Sequence, residues 1–327
     1  MTIKEIAELA GVSTAAVSRY FNGGSLSDEK RKIIGKVVEE HNYTPNALAK
    51  TMRTGRSGQI GVIVPTIHSD SMTQILTGID EILKANDYSF ILCCTDGEQE
   101  KEVQYIENMQ RGGMDGIILM GTYMTPHLKD AIENSIIPIV VTGQSFSGVS
   151  SVYHDDVHSM KEITLLMLEK RDKVAYIGVD EKDEAAGQAR RRGVEKAFDE
   201  RGIGLDKLIK AVSPFTVDGG YKEAMSLLEK YPDLNGIVCA TDMIALGAIK
   251  AIKETGRKVP KDVSVTGVGN IWPGMMINPP LTTVKLYFEE CGRVATKQLL
   301  GMMDADETDV PISNIKLGYQ IIERGSI

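Results

Sequence analysis

The chain has 327 residues, of which 42% are hydrophobic and 25% charged, so it is long enough for two or three compact units and too apolar to be disordered as a whole. No apolar run reaches the roughly 18–20 residues that a membrane helix needs, and the opening MTIKEIAELAG interleaves its apolar positions with Lys4, Glu5 and Glu8, unlike a secretory leader; a cytoplasmic chain with no membrane partner is expected. The net charge of −8 taken alone argues against nucleic acid, yet residues 1–56 carry nine Lys or Arg and six Asp or Glu, which is +3, and leave −11 for the rest.

Thr2-Ile3-Lys4-Glu5 has the capping-box pattern and predicts a helix from Ile3. Ile3, Ile6, Ala7 and Ala10 share its apolar face, and Gly11-Val12-Ser13 turns the chain. Ser13 then caps a second helix over 14–20, in which Val17 faces inward with Val12 and Phe21. After the break Asn22-Gly23-Gly24-Ser25, Ser27 caps a third helix whose first turn holds Asp28 and Glu29, favourable against the helix dipole. Its inward positions are expected at Ile33, Ile34, Val37 and Val38. An ordinary three-helix bundle is the competing reading, but the tight small-residue turn and the short polar outer face of the second helix favour a helix-turn-helix. Thr14, Ala15, Ser18 and Arg19 would face the major groove, with Arg19 suited to a bidentate guanine contact. Ser13, Asn22 and Thr2 are better placed for phosphates, which set register.

Thr44 and Pro45 can start a short helix to Met52, and Arg53-Thr54-Gly55-Arg56-Ser57-Gly58 follows as a linker. One or two helical turns are unstable alone. The runs IKEIAELAGVSTAAVSRYFNG and YTPNALAKTMRTGRSGQIGVIVP, through A-G-V-S-x-x-x-V-S-R and Y-x-P-N-x-x-A, resemble the lactose-repressor (LacI/GalR) family of bacterial transcription regulators. The resemblance extends along the whole chain. It implies that residues of about 45–53 form a hinge helix that pairs with its dimer mate in the minor groove. Asn46 and Ala49 match groove-facing positions, and Met52 stands where the family has a Leu wedge. Met is itself among the side chains that can unstack a base step. Lys50, Arg53 and Arg56 can add phosphate charge. A passive linker is the alternative.

From Gln59 onward, short apolar runs alternate with amphipathic helices: QIGVIVP, YSFILCC, DGIILMG, IPIVVT, KVAYIGV, NGIVCAT and VSVTGVG. This is the pattern of parallel-sheet α/β units. Together with the headpiece at 1–57, it predicts an all-α helix-turn-helix domain plus an α/β core at 58–327. The resemblance implies a core like the periplasmic binding proteins, of two lobes joined by three crossing strands. Lobe one is expected at about 58–156 and 287–313, lobe two at about 157–284 and 314–327, with LTTVKLYF and IKLGYQIIERGS as returning segments.

Ligands bind such sheets beyond the carboxyl ends of the strands. Arg190 matches a family arginine that binds sugar hydroxyls or an anionic group, a task suited to a rigid fork of donors. Phe215 matches an aromatic that stacks on a sugar or base; a core Phe is the alternative. Thr241 and Asp242 end a strand and begin a helix, and either serve the ligand or cap the helix. Ser71 and Met72 match cleft-edge positions where relatives often carry aromatics, which suggests a differently shaped ligand. In Gly267-Val268-Gly269-Asn270, Gly269 replaces a common Asp, with Asn270 beside it. Gly143-Gln144 stands where an acidic or basic residue is frequent in the family. These departures, with Arg190 kept, tilt the cleft toward a neutral sugar or a sugar phosphate. Trp272 either covers the ligand or packs at a lobe edge, the second being favoured.

Cys93, Cys94 and Cys239 lie in apolar runs, so core thiols are expected of the four cysteines. No P-loop, G-x-G-x-x-G or H-E-x-x-H pattern occurs, and His154 and His158, though spaced i, i+4, more naturally end a strand and start a helix. No catalytic residue, metal or cofactor is expected. The whole reads as a nucleoid-associated repressor of a carbohydrate-utilisation operon, a homodimer on a near-palindromic double-stranded operator, controlled by a sugar or sugar phosphate. A dimer without a tetramerising tail is expected because no apolar heptads follow the last strand. The competing readings are a regulator with a non-sugar corepressor and a plain solute-binding protein.

Overall fold

The computed structural model describes residues 1–21, 23–43, 55–121, 123–305 and 311–327. It forms two units, Met1–Gly58 and Gln59–Ile327. The expected hinge helix of about 45–53 lies outside the described residues, as do Asn22, Asn46, Ala49, Lys50 and Met52.

The headpiece has helices α1 (Ile3–Leu9), α2 (Thr14–Phe21) and α3 (Asp28–Glu40). The capping box closes as the sequence predicts: the Thr2 amide donates to the Glu5 carboxylate at 2.7 Å and the Glu5 amide to Thr2 Oγ1 at 3.3 Å. Gly11, at φ +62°, takes the left-handed conformation that ends α1. Ile6, Val17 and Ile34 are fully buried at the centre, with Val12, Phe21 and Tyr43 around them. Ile33 differs from expectation and is 41% exposed. Ile34 and Val37 already face the centre, and a neighbouring residue sits about 100° away around the helix.

The body holds two six-stranded sheets. Strands β1 (Gln59–Val64), β2 (Ser89–Cys94), β3 (Gly116–Met120), β4 (Ile139–Thr142), β5 (Ser150–His154) and β11 (Asn314–Leu317) make lobe one, in the order β11-β5-β4-β3-β1-β2, all parallel. Lobe two holds β6 (Val174–Gly178), β7 (Ile209–Val212), β8 (Gly236–Cys239), β9 (Ser264–Val268), β10 (Thr282–Leu286) and β12 (Tyr319–Ile322). Its order is β12-β10-β9-β8-β6-β7, with β12 antiparallel.

Each apolar run read as a strand forms one, but β2 is not buried as expected. It lies at the sheet edge, where Ile91 and Leu92 remain 42% and 38% exposed. Cys93 and Cys94 are accordingly half-buried, whereas Cys239 and Cys291 are core thiols. The polar β5 and short β7 have no comparable apolar run to mark them.

The chain passes between the lobes three times. From β5 it enters the helix Asp156–Lys170 on lobe two, from β10 the helix Phe288–Asp304 on lobe one, and from β11 it reaches β12 through Gly318. Residues 314–317 therefore belong to lobe one, not lobe two as expected, because β11 pairs with β5 along Asn314–Ser151 to Leu317–His154.

Helix pairs on both lobes meet backbone to backbone at glycines. In lobe one a Cβ on Gly78 would stand 2.0 Å from the Glu289 carbonyl oxygen. In lobe two a Cβ on Gly247 would stand 2.1 Å from that of Val217 and 2.5 Å from the Tyr221 amide nitrogen. Neither neighbour is a flexible side chain, so the helices would have to separate. Gly247→Ala is expected to destabilise the chain by about 1–3 kcal/mol, read as a lower urea midpoint at unchanged slope.

Candidate functional site

On the headpiece, Ser13, Thr14, Ala15 and Arg19 are exposed and Ser18 is half-buried, all on the outer side of α2. Ser13 Oγ accepts from the Ala16 amide at 3.3 Å and so caps the helix it presents. Thr2 spends its oxygen on the α1 cap while its own O–H remains a donor. The Arg19 stem rests on Gly24, where a Cβ would come within 3.1 Å of Arg19 Cγ, and the Gly24 amide donates to the Arg19 carbonyl at 2.9 Å. Gly24 thus leaves room for the Arg19 stem, which sequence pattern alone did not single out.

In the body, Arg190 lies at the carboxyl ends of the strands as expected, but it is buried. Its Nε donates to Asp156 Oδ1 at 2.7 Å and its Nη1 to the Ala240 carbonyl at 2.7 Å. The two charged side chains are only 9% and 5% exposed. A six-residue π-helical turn, Glu184–Ala189, delivers Arg190, capped where Asp183 Oδ1 accepts from the Ala186 amide at 2.7 Å. Such turns recur at functional sites. Asp156 was legible in sequence only as part of His-Asp-Asp. Arg191, by contrast, is a half-buried charge paired with Glu181 and Glu195.

The β8–β10 side of lobe two is built on Asp242. It is 1% exposed, and its carboxylate accepts from the Thr283 hydroxyl at 2.5 Å and the Ile271 amide at 2.9 Å. Burial pushes its carboxyl up to about 6, against the pull of those donors. Thr241 is the helix cap, accepting from the Ile244 amide at 3.3 Å. Of the two roles left open for this pair, capping falls to Thr241, while Asp242 holds the loop after β9. Asn270 sits in that loop at φ +52°, and its Oδ1 accepts from Arg324 at 2.6 Å. Thr283 and Arg324 had no sequence signal.

Phe215 is 49% exposed, which rules out the core-Phe reading and leaves its ring available beyond β7. Trp272 is 65% exposed and does not pack at a lobe edge as favoured. Ser71 bonds the Ser69 hydroxyl at 2.7 Å, and Met72 leans on the lobe-one core. Gln144 is buried and donates to the Gly121 carbonyl at 2.8 Å, a structural use of that position. His158 contacts both oxygens of Asp155 at 2.8 Å, whereas His154 is buried and packs edge-on against Phe288 at 5.1 Å. Among the described residues, no group of three or more His, Cys, Asp or Glu can hold a metal ion, and no helix is long and apolar enough to cross a membrane.

A family model of bacterial regulatory proteins, lacI family, matches residues 2–46, and one of a periplasmic binding protein-like domain matches residues 165–327. The HTH-type transcriptional regulator RegA of Clostridium saccharobutylicum is 32% identical, over 99% of this chain and 98% of its own. The chain belongs to the lacI family. It is a DNA-binding transcription regulator with a helix-turn-helix headpiece and a two-lobed α/β core. The lac repressor dimer bound to operator and the anti-inducer ONPF shares this fold, with a TM-score of 0.87 at 22% identity over 100% of this chain and 98% of that one. A LacI family regulator from Enterococcus faecium with bound ribose has a TM-score of 0.73 at 26% identity over 82% of this chain and 98% of that one.

In this lacI-family core the Arg190–Asp156 pair is a sharp point of stability. Asp156→Ala leaves a buried guanidinium uncompensated and is expected to cost about 3–5 kcal/mol in chemical unfolding. The double variant Asp156→Leu/Arg190→Met should recover most of that loss.

Proposed function

We propose that the chain is a repressor that binds a near-palindromic operator as a homodimer and is released or engaged by a sugar or sugar phosphate held between its lobes. The observation that carries this is the combination of an exposed, short-side-chained α2 with Arg19 at its outer face and an arginine buried where the strand ends of a two-lobed core converge. Arg19 with Thr14, Ala15 and Ser18 reads bases, and Ser13, Thr2 and Asn22 hold phosphates. From their sequence positions, Asn46, Ala49, Lys50 and Met52 serve the minor groove. Arg190, Phe215, Ser71, Met72, Thr241, Asp242 and Asn270 border the effector cleft. Among them Phe215 stacks, and Asp242 and Asn270 act by shaping the loop after β9. No catalytic step is assigned to the core, and a DNA reader of this kind works in the cytoplasm.

A second copy has apolar surface to cover. Met275 and Met276 are 44% and 77% exposed, and they adjoin an open depression of about 420 Å³ lined by Leu246, Ile249, Lys250, Lys253, Glu254 and Ile277. A twofold contact uses the same patch on both copies. Leu246→Arg should shift the mass found by light scattering from dimer to monomer and abolish stable operator binding.

Selection from random DNA should enrich an inverted repeat; recovery of no symmetric site would sink the operator reading. On that repeat, Arg19→Ala should cost about 1–3 kcal/mol and relax one base position. Lys50→Ala should instead weaken all sequences alike and lower the logarithmic salt slope by about one.

A further inference from the structure

The −11 of the body is unevenly placed. Lobe one, residues 59–155 and 288–317, carries seven Lys or Arg and nineteen Asp or Glu, which is −12. Lobe two, residues 156–287 and 318–327, carries twenty-one and twenty, which is +1. Pairing differs as well. All four basic side chains of 59–155 meet a carboxylate three or four positions away: Lys84 with Asp80 at 2.6 Å, Lys101 with Glu98 at 2.8 Å, Arg111 with Glu107 at 3.0 Å and Lys129 with Glu133 at 3.6 Å.

Lobe two gathers unpaired basic side chains at one pole. The segments 170–173, 230–235 and 257–262 lead into β6, β8 and β9, which are neighbours in the sheet, and they hold seven Lys or Arg against three Asp, a local +4. The fold locks the three segments together. Arg171 donates from Nε to Ser264 Oγ at 2.9 Å and from Nη2 to the Pro260 carbonyl. Arg257 Nη2 donates to the Pro232 carbonyl at 3.0 Å, and Asn235 Oδ1 accepts from the Lys173 amide at 3.0 Å.

The three acids are engaged within the pole itself. Asp172 accepts from Asn235 Nδ2 at 2.7 Å and Asp262 from the Lys258 amide at 2.8 Å, while Asp233 stands 3.8 Å from the Lys173 ammonium. Lys170, Lys230, Lys258 and Lys261 are exposed and form no ion pair among the described residues. Lys170 and Lys230 end the helices Asp156–Lys170 and Val217–Lys230, where a cation suits the helix dipole. No helix end accounts for Lys258 and Lys261, which stand in a loop.

The composition of this surface selects its partner. A protein interface has an apolar centre, and none of the three segments exposes a large apolar side chain. Unpaired ammonium groups on a fixed backbone suit a phosphate backbone, whose binding is electrostatic and independent of sequence.

We propose that this pole of lobe two is a second DNA contact, at which Lys170, Lys230, Lys258 and Lys261 hold phosphates of a duplex without reading its bases. It is made of residues distinct from the headpiece reader, and it is the weaker of the two because lobe one repels DNA.

The test uses the full-length chain saturated with an unlabelled inverted repeat, so that the headpieces are filled, and a short labelled duplex of scrambled sequence added second. Anisotropy should show the second duplex bind, with log K falling against log salt at a slope of about −3.6, the worth of four phosphates. Lys170→Gln, Lys230→Gln, Lys258→Gln and Lys261→Gln together should weaken it by about tenfold or more at low salt, and the pair Lys258→Gln/Lys261→Gln should halve the slope to about −1.8. Replacing the same four by Arg should keep the binding, since charge is what counts. Operator affinity and melting temperature should stay at the wild-type values in every variant, which separates a lost contact from a lost fold. Absence of a second bound duplex at low salt, or wild-type affinity and slope in the fourfold Gln variant, overturns the proposal. Capture of polyglutamate but not of the duplex also overturns it and assigns the pole to an acidic protein. The inverted repeat remains bound in each case, so the regulator reading is judged separately.

Discussion

A guanidinium survives burial only when its charge and its donors are met, and Arg190 ties distant parts of the body together to satisfy that condition. Asp156 comes from the first crossing between the lobes, the Ala240 carbonyl from the end of β8, and Arg190 itself from a π-helical turn after β6. Desolvation of such a pair offsets much of its Coulomb attraction. Its value is therefore geometric more than energetic: it fixes a rigid, neutralised fork between the first crossing and the end of β8. Burial lowers the pKa of the His154 imidazole and raises that of the Tyr176 hydroxyl, and Asp156 and Arg190 are among the charges that act on both.

Lobe two carries a second buried acid with a different duty. Asp242 gathers Thr283 from β10 and the Ile271 amide from the loop after β9, and Arg324 reaches back from the carboxyl-terminal segment to fix Asn270. Gly269, at φ +135°, stands in this loop and offers no side chain to a ligand. The oxygens of Asp242 are occupied within the fold, and burial disfavours its charge.

A ligand shifts this regulator only by binding one lobe arrangement better than the other. The three crossings are the covalent links between the lobes, and His154, Asp155 and Tyr287 sit on two of them. The charge split has a physical use as well. A body of −11 repels DNA while residues 1–56, at +3, attract it, so docking through the headpiece is the favoured encounter.

Much of this was legible in the residues themselves. Caps, glycine breaks and apolar periodicity act over a few positions, so Thr2, Gly11, Ser13 and Ser27 located the headpiece helices almost to the residue. The apolar runs located seven strands, and the resemblance placed Arg190 and Phe215 at the strand ends. What the sequence left open depends on residues far apart in the chain. Whether Ile91 and Leu92 are covered depends on sheet order, and where the last crossing falls depends on β11 pairing with β5. Thr241 and Asp242 are adjacent in sequence, yet they took separate duties only because Thr283 lies 41 positions beyond Asp242 and still meets its carboxylate. Local chemistry determined which elements form; burial and long-range pairing, which exist only in the folded chain, decided what Arg190 and Asp156 do together.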